Sequence, residues 1–225
     1  MARQLVLDLP IRAAMGRDDF FVSQANAAAV AGIEAWIGWP LAKMLLVGPE
    51  GAGKTHLAHV WAAQSGAVII SAGDMSEDRL PALSDAPALG VEDADRIAGD
   101  RARETLLFHV HNALAQRGAP LLLTARTAPA QWGLTLPDLQ SRMQQSGLLA
   151  LSPPDDTLIA AVLVKLAQDR QLALTPNILT HVLPRLDRSL ASVQTFVAGL
   201  DAEALTTQEP PRLKHAKAVL ARMGS

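Results

Sequence analysis

GPEGAGKT, residues 48–55, decides how the rest of the chain is read. It matches G-x-x-x-x-G-K-[ST] without a mismatch, behind the apolar run MLLVG (44–48) and ahead of GKTHLAHVWAAQ (53–64), whose apolar residues fall at helical spacing. A strand, a glycine-rich loop and a helix, in that order, are the setting in which this motif holds phosphate. Gly48, Gly51 and Gly53 let backbone N–H groups turn inward around phosphate oxygens, and the following helix presents its N-terminus to the anion. Lys54 supplies charge for the β- and γ-phosphates, and Thr55 supplies a hydroxyl for Mg²⁺. Ala52 and His56, within and beside the loop, are counted with the nucleotide-contacting residues. The stretch therefore predicts a bound nucleoside diphosphate or triphosphate, ADP or ATP, with Mg²⁺.

Outward from the loop, strands and helices alternate. SQANAAAVAGIEAWIGW, from Ser23, reads as a helix ending near Gly38 and Pro40. AVIIS (67–71), PALGV (87–91), APLLLTA (119–125) and GLLAL (147–151) read as strands, and RETLLFHVHNALAQRG (103–118) as an amphipathic helix closed by Gly118. This alternation predicts an α/β fold, a P-loop core with a parallel sheet flanked by helices. SPPDD (152–156) breaks the pattern, and helical stretches follow at 155–170, 175–184, 188–205 and 212–222. The expected organisation is an arm over 1–19, a nucleotide-binding α/β domain over 20–151 and a small all-helical lid domain over 152–225.

Composition narrows the function. Lys and Arg number 20 against 22 Asp and Glu, a formal net charge of -2, so tight sequence-independent binding of DNA by the whole surface is not expected. No cysteine is present, which excludes disulfides, thiolate metal ligands and cysteine nucleophiles. No apolar stretch approaches the roughly 20 residues that a membrane span needs, and the first ten residues do not read as a signal peptide. A soluble, cytoplasmic protein without membrane contact is expected. His109 and His111 are two apart on a predicted helix and point to different faces, and His56 and His59 lack a third ligand, so no histidine metal site is expected.

A strand that follows the loop in the chain should end in acids that hold the metal. LGVEDAD offers Glu92 and Asp93 there. The first place usually carries Asp, and the extra methylene of Glu92 shifts the carboxylate by about 1 Å, enough to slow catalysis. Weak intrinsic hydrolysis follows.

Five segments in order resemble DnaA-type AAA+ ATPases: FVSQAN (21–26), GPEGAGKTHL, VEDADRIAGD (91–100), LPDLQSRM (136–143) and RLDRSLASVQ (185–194). The resemblance runs from Phe20 to about Leu205. It implies that Val22 and Asn26 border the base, that Arg142 is an arginine finger reaching a nucleotide on a neighbouring subunit, and that Arg188 touches the nucleotide from the lid. In LLLTARTAP (121–129), Arg126 stands where the family's first sensor carries Asp, which agrees with Glu92 in pointing away from a fast motor. The replication initiator of the family carries a C-terminal helix-turn-helix domain. After Leu205 this chain offers only TTQEPPRLKHAKAVLARMGS, and no such domain is expected, so direct DNA binding is weak or absent.

QLVLDL (4–9) resembles the short peptide by which bacterial proteins dock on the sliding clamp, the β subunit of DNA polymerase III. Gln4 would hydrogen-bond at the pocket rim, and Leu5, Leu7 and Leu9 would fill the cleft, a few anchors carrying most of the affinity. The same alternation fits an edge strand. The resemblance implies a DnaA-related regulator that acts with the DNA-loaded clamp on ATP-bound DnaA, stimulating hydrolysis there and repressing re-initiation. Self-association stays open. The alternative is a DnaA-like ATPase or helicase-loader-type factor acting by its own hydrolysis.

Overall fold

The computed structural model describes residues 12–13 and 21–224. The described residues divide into two compact units: Asn26–Ser152, and those beyond Ser152 together with the described residues up to Ala25. The segment 21–25, expected at the start of the α/β domain, thus groups with the helical residues.

In the α/β unit, α1 (Ala27–Glu34) precedes β3 (Lys43–Val47), α2 (Lys54–Ser65), β4 (Val68–Ser71), α3 (Leu80–Asp85), β5 (Leu89–Glu92), α4 (Arg101–Arg117), β6 (Leu121–Ala125), α5 (Pro137–Gln144) and β7 (Gly147–Ala150). β1 (Arg12–Ala13), within the arm expected over 1–19, and β2 (Phe21–Val22) form a short antiparallel pair. The five-stranded sheet runs β4-β5-β6-β3-β7, and every pairing is parallel. β3 and β6 are buried at all five positions, as central strands covered on both faces must be. β4 and β7 form the edges and keep partly exposed side chains. Leu45, Leu89, Val91, Leu107, Val110, Leu121 and Leu123 are all but fully buried in the core on one side of this sheet. The expected α/β architecture is the one observed.

The helix predicted up to Gly38 stops at Glu34. Trp39 causes the break. It is buried, stacks on Trp61 at 5.4 Å and donates its indole N–H to Gly32 O at 2.8 Å. Pro40 then forces Trp39 into extended backbone, and Leu41 and Ala42 turn the chain through left-handed φ values of 54° and 50°. A single 3-10 turn at Trp36–Gly38 takes the place of the last part of the predicted helix.

The helical unit contains α6 (Asp156–Asp169), α7 (Pro176–Val182), α8 (Leu190–Thr207) and α9 (Leu213–Met223) around Ile159, Leu163, Phe196, Val197 and Val219. β2 packs on α6, and Ala25 N–H donates to Asp155 Oδ2 at 3.3 Å. Asp155 also caps α6 through Leu158 N–H at 2.7 Å. No helix among the described residues is long and apolar enough to cross a membrane.

Candidate nucleotide-binding site

Parallel sheets of this kind present ligands at the carboxyl ends of their strands, where neighbouring strands diverge. Three such ends meet here. After β3 comes the loop at 48–53; after β5 come Glu92, Asp93 and Asp95; after β6 comes Arg126. The charges of Asp93, Asp95, Arg126 and Glu50 all act on the Lys54 ammonium.

The loop is built on its glycines. Gly51 and Gly53 have φ of 73° and 99°, which an L side chain resists. Gly48 needs its place for a different reason. A Cβ there would lie 2.7 Å from Leu151 O, because the chain beyond β7 runs against the loop and Leu151 N–H bonds Val47 O at 2.7 Å. Gly53 then caps α2 and Lys54 is its first residue. Lys54 is buried, and its Nζ donates to Gly48 O at 2.7 Å and Pro49 O at 2.9 Å. Burial holds its pKa below the ordinary lysine value despite the acids of Asp93 and Asp95. Ala52 is buried, while Thr55 and His56 are exposed on the first turn of α2. A helix N-terminus beside a confined ammonium is the arrangement of an anion-binding loop.

Opposite that positive loop stand acids with unused capacity. Glu92 Oε1 and Asp95 Oδ1 are buried without a hydrogen-bond partner among the described residues. Buried carboxylate oxygens of that kind fit a cation, so the residues present suit Mg²⁺. Asp93 adopts φ 53°, receives its backbone position from a bond to Thr124 Oγ1 at 3.1 Å and pairs with Arg96 at 3.2 Å. Glu92 therefore closes β5, one residue later than the strand predicted over 87–91.

Asp95 was not singled out from the sequence. Its Oδ2 accepts the backbone N–H of Arg126 at 3.1 Å, tying the end of β6 to the turn after β5. The Arg126 guanidinium reaches Glu50 of the phosphate loop at 3.0 Å. Arg126, which the resemblance sets in the first-sensor place, is a cation paired with the loop.

The remaining assigned residues fall as follows. Asn26 is buried immediately before α1, and its carbonyl accepts Val30 N–H at 2.9 Å. Arg142 lies exposed in the last turn of α5, with no ion pair to its guanidinium among the described residues. Val22 and Arg188 belong to the helical unit. Arg188 is exposed and bonds Asp156 at 3.1 and 3.2 Å, beside a cavity of about 390 Å³ lined by Ile159, Leu183, Pro184 and Leu186. Gln4, Leu5, Leu7 and Leu9 lie outside the described residues. Among the described residues no group of three or more His, Asp or Glu side chains forms a ready-made metal cluster.

No family model matches the chain. Its fold is nevertheless that of known proteins. Domain III of the replication initiation protein DnaA from Thermotoga maritima superposes with a TM-score of 0.80 at 22% identity, covering 91% of this chain and 94% of that one. A DnaA bound to AMPPCP and single-stranded DNA gives 0.70 at 17% identity over 84% of this chain and 66% of that one. A RuvB variant from Thermotoga maritima gives 0.67 at 16% identity over 89% of this chain and 70% of that one. The chain has a DnaA-like AAA+ fold.

Proposed function

We propose that this chain is a DnaA-related nucleotide-binding regulator, which holds a nucleotide of its own and acts on the nucleotide of a partner. Nucleotide binding rests on the loop at 48–53. Its amides and Lys54 would take the phosphates, with Thr55, Glu92 and Asp95 as the groups to hold Mg²⁺, whose charge would neutralise the phosphates. Asn26 would meet the base, and Val22 and Arg188 keep the nucleotide roles that the resemblance gives them. Two of the similar DnaA structures carry AMPPCP, which supports a nucleotide here.

The observation that carries a regulatory reading over a motor is the Arg126–Glu50 pair at 3.0 Å. A cation bound to the phosphate loop stands where the family places an acid, and Glu92 lengthens the neighbouring carboxylate. Both changes fall on the groups that would orient water for the chain's own hydrolysis. Arg142, by contrast, is exposed and uncommitted, as a residue serving a partner's nucleotide must be. An arginine finger acts by stabilising transition-state charge in trans.

The role resembles that of Hda, the DnaA-homologous factor that inactivates the initiator after replication begins. In that role QLVLDL (4–9) docks on the DNA-loaded clamp, and Arg142 stimulates hydrolysis of ATP on DnaA. The test is hydrolysis of DnaA-bound ATP with this protein, loaded clamp and a variant carrying Gln4→Ala and Leu5→Ala. Stimulation that needs both clamp and peptide is expected. Stimulation without either, or substantial turnover by this chain alone, would favour the self-sufficient ATPase.

A further inference from the structure

Arg142 stands on a helix of only eight residues, too short to hold its own geometry. Both of its ends are fixed by buried charges from other elements. At the N-terminal end Glu104, fully buried on α4, accepts Thr135 N–H at 2.9 Å, Thr135 Oγ1–H at 2.9 Å and Leu136 N–H at 2.7 Å. Its other oxygen accepts Gly99 N–H at 2.9 Å. The carboxylate thus joins the turn before α4 to the residue that opens α5.

At the C-terminal end the partner is Lys43, the first residue of β3, only 3% exposed. Its Nζ donates to Arg142 O at 2.6 Å and to His111 Nε2 at 3.0 Å. An ammonium has no acceptor, so His111 Nε2 must accept. The imidazole is then neutral, with its proton on Nδ1 facing Asn112 Oδ1 at 3.2 Å. An anion at the start of a helix and a cation at its end both oppose the helix dipole in the stabilising sense. The Lys43 charge also lies under the Arg142 backbone, and like charges drive the guanidinium away from the core toward solvent.

We propose that Lys43 and Glu104 are positioning residues that clamp α5 from its two ends and so fix where Arg142 presents its guanidinium. His111 is part of the same device, as the neutral acceptor that keeps the Lys43 ammonium in place. The inference rests on the reading of Arg142 as a group that serves a partner's nucleotide. Neither residue bonds the phosphate loop.

Two readouts on the full chain separate this inference from the function on which it rests. The first needs no partner. Hydrogen exchange in Lys43→Met is expected to rise about tenfold or more at the last-turn amides of α5, while amides of β3 and β6 keep their protection. Glu104→Gln, should Lys43→Met fail to fold, is expected to loosen the first turn in the same selective way. Exchange on α5 equal to that of the unaltered chain overturns the proposal, whatever the function. The second readout is hydrolysis of DnaA-bound ATP with loaded clamp. Lys43→Met is expected to lower the maximal rate about tenfold with the half-saturating concentration unchanged, and to add nothing in an Arg142→Ala background. A further loss in that background would mean that Lys43 acts elsewhere. No stimulation by the unaltered chain would instead refute the regulatory function, and the exchange result would still decide the clamp.

Discussion

Lys43 offers a sharp test of the packing beneath α5, because its charge is carried where water is excluded. Burial pushes its pKa down from 10.5 to about 8, with the nearby Arg142 charge adding to the effect. The folded chain releases this proton near pH 8, and the unfolded chain near 10.5. Between those values the unfolded state binds more protons, so stability rises with pH. The gap corresponds to about 3 kcal/mol over the whole window. The chain has no Tyr and no Cys, so no phenol or thiol titrates there. Lys54, also held below its ordinary value, contributes in the same direction and makes a matched control necessary. Trp36, Trp39, Trp61 and Trp132, the four tryptophans, all lie within Asn26–Ser152, so indole fluorescence reports on the α/β unit alone. Urea midpoints from about pH 7.5 to about pH 10, followed by that fluorescence, should rise in the natural chain and rise much less in Lys43→Met, at unchanged slope against denaturant. An equal rise in both would show that Lys43 is not a buried charge, and the clamp on α5 would lose one of its ends.

Other outcomes follow from the same packing. Gly48→Ala places a methyl group 2.7 Å from Leu151 O, a backbone atom that cannot swing away. The fluorescence-monitored stability should fall by about 1–3 kcal/mol, and nucleotide affinity measured by equilibrium dialysis should fall with it. Glu104→Ala removes the fully buried acceptor of the Gly99, Thr135 and Leu136 N–H groups and should cost about 1–3 kcal/mol. Burial alone would raise the Glu104 pKa, but the bonds from Thr135, Gly99 and Leu136 overcome it and hold the carboxyl below its ordinary value. That stability is present above the ordinary carboxylate range and is lost as pH falls through the folded value, so Glu104→Ala should also flatten part of the acid limb of a pH–stability curve.

Much of this molecule was legible from local pattern. The phosphate loop announces itself through residue types whose spacing is dictated by backbone geometry, and the structure shows the strand, loop and helix it requires. β3 and β6 read as strands because burial on both faces demands unbroken apolar runs. The four helical stretches after Ser152 were visible from periodicity. What local pattern missed was set by distant partners. The helix at α1 ends early because Trp39 stacks on Trp61, and nothing near Glu34 in the chain signals it. Nothing next to Lys43 in the chain marks it as buried. Its partners stand 68 and 99 residues away. Glu104 lies within the amphipathic helix, and only the turn at Thr135, 31 residues on, accounts for its burial. Asp95 follows Glu92 and Asp93 closely, but its role depends on the backbone of Arg126, 31 residues on.

The most direct measurement is single-turnover hydrolysis of ATP bound to DnaA, with loaded clamp, comparing the natural chain with Arg142→Ala. The natural chain should accelerate hydrolysis, and Arg142→Ala, with unchanged nucleotide content and clamp binding, should lose at least about a hundredfold of that acceleration. Full acceleration by Arg142→Ala would contradict the finger, and with it the reading of this chain as a regulator that works on a partner's nucleotide.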